Sequence, residues 1–227
     1  MKKIILMALA FSLLAGCAQT VKKTETAFFP ALPQPPRLQF LLSISTEEDI
    51  GGKSSSGLKE WLVGKRTSTK QIARAHDIGS AKGKIYILDR SFKKVLFIDL
   101  AKKEFDFIKD EREGAIGDPL GLWVTEDDVK YVADAARKQI LVFDKNNTFV
   151  RAYGDKDQFD RPADVAVFQN RIYVVDFSKM AVVVLDKDSG KTVQTIGERG
   201  EAEGKFNRPT HVSVDRQGNI YVNDSFN

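Results

Sequence analysis

Ile172-Tyr173-Val174-Val175-Asp176 is one of four copies of a phrase that recurs along this 227-residue chain. The others are Ile85-Tyr86-Ile87-Leu88-Asp89, Lys130-Tyr131-Val132-Ala133-Asp134 and Ile220-Tyr221-Val222-Asn223-Asp224, and the tyrosines lie 45, 42 and 48 residues apart. Each copy is a short β-forming run closed by an aspartate. A period of about 40 to 50 residues built from short strands is that of a β-propeller blade, a small sheet that cannot bury its own faces.

The rest of each period agrees. Thirteen residues after the first three tyrosines a second aspartate closes another apolar run, in Leu96-Phe97-Ile98-Asp99, Leu141-Val142-Phe143-Asp144 and Val183-Val184-Leu185-Asp186. Eleven or twelve residues before the last three tyrosines stands a proline (Pro119, Pro162, Pro209), whereas the first copy reads Ala73-Arg74-Ala75-His76-Asp77-Ile78, an irregularity expected of a terminal repeat. Each unit therefore reads as four antiparallel strands, a to d with a innermost, joined by turns such as Asp215-Arg216-Gln217-Gly218-Asn219. In the third unit the strands are expected near 163–168, 171–176, 182–186 and 192–196. The apolar residues of b and c point both ways, so neighbouring blades must cover both faces. The aspartates at 89, 134, 176 and 224 recur in every unit, which fits caps of the b-to-c turn better than chemistry confined to one place.

Phe206-x-x-Pro209-x-x-Val212-x-Val214-Asp215-x-x-Gly218-x-Ile220-Tyr221-Val222-x-Asp224 resembles an NHL repeat. The resemblance covers roughly residues 72 to 227, is most specific in the last three units, and implies an all-β, six-bladed propeller of four-stranded blades. It implies no single activity, because the repeat class hosts ligases, lyases, kinase sensor domains and binding modules. About three and a half blades are present, and a six-bladed ring at this period needs roughly 100 more residues. Residues 38–227 are accordingly expected to be a partial propeller, incomplete at its C-terminus: a fragment of a longer protein, or half of an assembly with a second polypeptide.

Ahead of the repeats, Lys2 and Lys3 precede an apolar stretch from Ile4 to Leu14 that is too short to span a bilayer, followed by Leu14-Ala15-Gly16-Cys17. This resembles a bacterial lipobox, which implies an export signal over 1–16 and a lipid on Cys17, the single cysteine of the chain. Ala18, where an aspartate would favour inner-membrane retention, resembles lipoproteins sorted to the outer membrane, facing the periplasm. Residues 17–37 hold four of the seven prolines and read as a stiff tether of about 60 Å at about 3.1 Å per residue. Leu38 to Ile44 is an isolated strand-like stretch, expected to complete the last blade as the clasp of a ring. Residues 46–71 read as a polar insertion carrying a short amphipathic helix around Leu58 to Val63, with Trp61 packed on the first blade.

The net charge of +4 falls to +2 once Lys2 and Lys3 leave (4 minus 2), which is no nucleic-acid footprint. Turns after strand b carry Arg90, Lys93, Lys94, Arg137, Lys138 and Lys179, and turns after strand d carry acids that should emerge on the same face, giving either a solvated rim or a charged docking surface. No nucleophile elbow, phosphate-binding glycine loop or helical zinc motif occurs. His76 and His211 each stand ten residues before a repeat tyrosine, at the entry of strand a, with Asp164 at the matching place in the third unit. No cofactor is otherwise implied, but imidazole and carboxylate lining a channel would suit zinc or calcium. The expected function is a membrane-anchored, non-enzymatic module binding a protein or small molecule on the propeller face. The alternative is a metal-dependent hydrolase, lactonase or lyase using the central channel.

Overall fold

The computed structural model describes residues 28–30, 33–35, 37–51, 70–155 and 157–227. Cys17, the export signal and the expected helix with Trp61 lie outside the described residues. The chain divides into two units, 1–43 and 44–227. In the first, β1 (Phe28–Phe29) pairs with β2 (Leu38–Gln39), Phe28 opposite Gln39 and Phe29 opposite Leu38. This corrects two expectations. Leu38 uses a local partner rather than completing a blade, and the pairing sets residues 28–29 beside 38–39, where an extended tether would hold them apart. A proline-rich connection favours turning, and a short loop is the least costly one to close.

The second unit is built from meanders. The first sheet is β3 (Ala75–Ala81), β4 (Lys84–Asp89), β5 (Lys94–Asp99) and β6 (Glu104–Phe107). The second is β7 (Pro119–Val124), β8 (Lys130–Asp134), β9 (Gln139–Phe143) and β10 (Phe149–Tyr153). The third is β11 (Pro162–Phe168), β12 (Arg171–Asp176), β13 (Ala181–Asp186) and β14 (Thr192–Ile196), within a residue of expectation. A fourth pair follows, β15 (Pro209–Val214) and β16 (Ile220–Asp224). Every sheet is ordered as its strands occur in sequence, all pairs antiparallel. Proline opens three of the four innermost strands, the position in a strand where its missing N–H matters least.

Because side chains alternate along a strand, each sheet has one face toward the preceding sheet and one toward the next. Tyr86, Leu88 and Val95 of the first sheet meet Leu122, Val132, Leu141 and Phe143 of the second. Tyr131, Ala133, Ile140 and Val142 then meet Val165, Val167, Ile172, Val174, Val183 and Leu185, and Ala166, Val175 and Val182 meet Val212, Val214, Ile220 and Val222. The repeat tyrosine always faces forward. Its hydroxyl in the first sheet donates to Asp128 Oδ1 at 2.6 Å, where Lys84 Nζ (2.9 Å) and the fully buried Lys130 complete a polar knot between two sheets. Burial holds the Lys130 amine below the usual lysine range, against the pull of Asp128.

The backward face of the first sheet has no preceding sheet among the described residues. Ile85, Ile87, Leu96, Ile98, Phe105 and Phe107 are covered there by Ile44, Ile50 and Ile72. These come from the stem of the 46–71 insertion, where Thr46 bridges Gln71, Ile72 N–H donates to Ser45 O (2.8 Å) and a 3₁₀ turn runs over Glu47–Ile50. Ile72 itself belongs to a repeated set. Ile72, Ile116, Phe159 and Phe206 each precede an innermost strand and plug the groove between two sheets or, for Ile72, under the stem. The Phe206 ring lies so close to Gly197 that a Cβ there would stand 2.4 Å from it, and Gly197 also has φ 77°, so the turn after β14 requires glycine.

Candidate functional site

Strand a enters each blade through a bulge, and the residue after the bulge defines a common register. Asp77 pairs with Leu88, Gly121 with Ala133, Asp164 with Val175 and His211 with Asn223. His76 is the bulged residue of the first sheet, so it is not the equivalent of His211; Asp77 is. The count of ten residues back from the tyrosine fails because the a-to-b loops differ. They have two residues in the first and third sheets (Lys82-Gly83, Gln169-Asn170) and five in the second and fourth (125–129, 215–219), a net change of one residue between tyrosine and bulge.

The two register carboxylates join blades together. Asp77 Oδ2 accepts the Leu122 N–H of the second sheet (2.7 Å) while its Oδ1 accepts Ile78 N–H (2.7 Å). Asp164 Oδ2 accepts the Val212 N–H of the fourth (2.9 Å). Between them Gly121 leaves room for Asp164, since a Cβ at 121 would stand 2.4 Å from Asp164 Oδ1 and 2.6 Å from its Cα. Burial raises the Asp164 carboxyl to about 7, opposed by the Val212 and Val165 N–H groups and reinforced by the charge of Asp77. His76 is exposed and pushed below its ordinary value by partial desolvation, then by Arg90, with His211 and Arg74 adding to the effect and Asp77 opposing it. Among the described residues no three His, Cys, Asp or Glu stand together to hold a metal ion. His76, Asp164 and His211 therefore do not fit zinc or calcium as a set: one is bulged out, one is spent on a backbone bond across blades, and His211 Nδ1 lies 3.1 Å from Thr210 Oγ1.

The repeat aspartates are caps, as expected, and also staples. Asp176 accepts the Asp160 (2.7 Å) and Arg161 (3.1 Å) N–H groups before strand a and the Ser178 and Lys179 N–H groups of the b-to-c turn. Asp89 does the same for Ala73, Arg74, Ser91 and Phe92.

The cations of this face separate into two groups. Of the six singled out in the sequence, five have internal partners. Arg90 pairs with Asp118 (3.0 Å), Lys94 with Asp110 (2.9 Å) and Lys138 with Asp160 (3.6 Å). Arg137 donates to the Glu113 and Ala115 carbonyls, and Lys179 to those of Asp157 and Gln158. Lys93 sits in the b-to-c turn with φ 54°. A second group went unnoticed: Arg74, Arg161 and Arg208, each three residues before the register position. All three are exposed, and among the described residues none has a carboxylate at ion-pair distance. Arg161 lies 5.4 Å from the centre of the Phe177 ring, and Arg208 lies 5.8 Å from Phe177 and 4.4 Å from Phe226, so cations and rings alternate across the third and fourth blades. The signal was present as the residue before two of the three repeat prolines, Arg161-Pro162 and Arg208-Pro209, with Arg74-Ala75 in the first unit.

At the other end of strand a, the a-to-b loops open a cleft of about 440 Å³ over Trp123, Val167, Phe168 and Val214, rimmed by Glu126, Asp127, Lys187 and Arg216. Trp123 stands where the other innermost strands carry Gly79, Ala166 and Ser213. Its bulk fills the wall between the second and third blades.

A family model described as a 6-bladed beta-propeller matches residues 154–227. This chain is a β-propeller. No curated protein matches it by sequence. Among solved structures, virginiamycin B lyase from Staphylococcus aureus superposes with a TM-score of 0.53 at 14% identity, over 68% of this chain and 50% of that one. A catalytically inactive variant of that lyase with quinupristin gives 0.54 at 17%, over 70% and 51%. Hydrazine synthase from Kuenenia stuttgartiensis gives 0.53 at 16%, over 71% and 46%. The chain spans about half the length of these structures, and at such identities the likeness is one of fold alone.

Proposed function

We propose that this propeller is a non-enzymatic binding module of NHL type, held at the bacterial cell envelope by a lipid on Cys17 and facing the periplasm from the outer membrane. It would recognise a protein or small-molecule ligand with the face that carries the b-to-c turns. The observation that carries this reading is the division of the charged groups. The two register carboxylates and most turn cations are committed to holding blades together, whereas Arg161 and Arg208 are exposed, lie close to aromatic rings and, among the described residues, have no acidic partner. Stacked arginine and aromatic side chains recur at binding hot spots because they offer large contact area and many donors at low cost in order.

A photo-crosslinking residue placed at 177 or 226 of the full chain in bacterial cells should capture a discrete partner, and one at 187, on the opposite end of the blades, should not. Equal yields at both ends would refute the face assignment. Mass spectrometry of the mature N-terminus reads the anchor. An acylated Cys17 is expected, and cleavage elsewhere or a bare thiol would remove the membrane part of the proposal.

A further inference from the structure

We infer that the exposed arginines at the entry of strand a form a binding site for a small soluble ligand bearing two or more oxyanion groups, such as a polycarboxylate. This rests on the binding-face reading above and names the ligand's chemistry. The backbone beneath each arginine is fixed, since Arg74 N–H donates to Asp89 (2.9 Å), Arg161 N–H to Asp176 (3.1 Å) and Arg208 N–H to Asp224 (2.5 Å). Two of the guanidinium groups further lie near rings, Arg208 at 4.4 Å from the centre of Phe226 and 5.8 Å from that of Phe177, and Arg161 at 5.4 Å from that of Phe177. A guanidinium offers five N–H donors and no acceptor in a planar fork, so its complement is an oxyanion that accepts two parallel hydrogen bonds.

The surrounding charges agree. The second blade carries Asp118 at the arginine position, and Arg90 neutralises it at 3.0 Å. Arg74 stands three residues before the register position of the first blade as Arg208 does in the fourth, and the charges of Arg74 and His211 both act on His76. One anionic group would be met by Arg161 and Arg208 on adjacent blades and another by Arg74 beside His76. A singly charged anion engages only one of these positions, which is why the site should select ligands of higher valence.

The test is calorimetric titration of the full-length protein with citrate, pyrophosphate and acetate at low salt. Citrate or pyrophosphate should bind with one site per chain and acetate at least about tenfold more weakly, as expected when a second charge-assisted contact is lost. The double variant Arg161→Gln/Arg208→Gln should weaken the polyanion at least about tenfold, and Arg161→Lys, which keeps charge but loses the fork, should fall between. Lys187→Gln, which alters net charge at the opposite end of the blades, should stay within about twofold of the unaltered protein. Melting temperatures within a few degrees of the parent establish that the variants are folded. Absence of polyanion binding, or equal weakening by Lys187→Gln, overturns the inference. If either occurs while crosslinks still form at 177 and 226, the binding face stands and only its ligand class falls; if the crosslinks are missing too, both fall.

Discussion

Asp164 illustrates how one carboxyl can look like a ligand in the sequence and act as a joint in the fold. It reaches from the third blade to the Val212 N–H of the fourth and packs where Gly121 of the second has no side chain. Burial raises its folded-state value to about 7, above that of an unfolded aspartate, so the folded protein holds this proton more tightly than the unfolded chain does. Its contribution to stability is thus fully present below about pH 4 and is lost as pH rises toward 7, at up to about 1.4 kcal/mol per pH unit. Urea unfolding at pH 5 and 7.5 should show the parent losing a few kcal/mol relative to Asp164→Asn, whose amide oxygen can still accept the Val212 N–H. Parallel pH profiles for the two proteins would contradict this. Asp89 and Asp224 behave oppositely. Despite desolvation, the N–H groups they accept hold them below the usual carboxylate range, so their contribution persists at neutral pH and fails only in acid.

At the scale of the strand, the joints rely on glycine as much as on acid. Gly121→Ala would drive a methyl group to 2.4 Å from Asp164 Oδ1 and 2.8 Å from the Ala163 carbonyl, forcing β7 and β11 apart at an expected cost of about 1–3 kcal/mol. Chemical denaturation checks it: the midpoint should fall with the slope unchanged, and an unaltered midpoint would show that the two strands are not so closely packed. The strands themselves were legible in the sequence because β-branched alternation and a closing aspartate repeat without interruption, and those of the third blade fall where expected. The register was not. Two-residue and five-residue a-to-b loops differ in the number of residues between tyrosine and bulge, and that single residue moved His76 out of the set and Asp77 into it. Which cations have internal partners was not legible either. A sequence shows that Arg90 is charged but not that Asp118, on the next blade, lies 3.0 Å away. Leu38 was misplaced because a strand-like pattern does not name its partner.

Across the whole molecule, the apolar faces are matched in sequence, each blade's forward face against the backward face of the next. At the two ends this matching is incomplete among the described residues. Ile78 is 67% exposed beyond the reach of the insertion stem, and Tyr221 is 58% exposed on the forward face of β16, where its hydroxyl turns back to Asp215 Oδ2 at 3.0 Å. Between those ends the acids and most of the turn cations serve assembly, which leaves the arginine and phenylalanine groups of the third and fourth blades as the feature we propose to bind a ligand. The measurement that tests this division most directly is the in-cell crosslinking yield from position 226 in two variants of the full chain, Asp164→Asn and Arg208→Ala. The yield should stay within about twofold of the parent in Asp164→Asn and fall at least about tenfold in Arg208→Ala, as for loss of a binding hot spot. A yield that collapses with the folded Asp164→Asn protein and survives in Arg208→Ala would place the function in the channel acids and contradict the account.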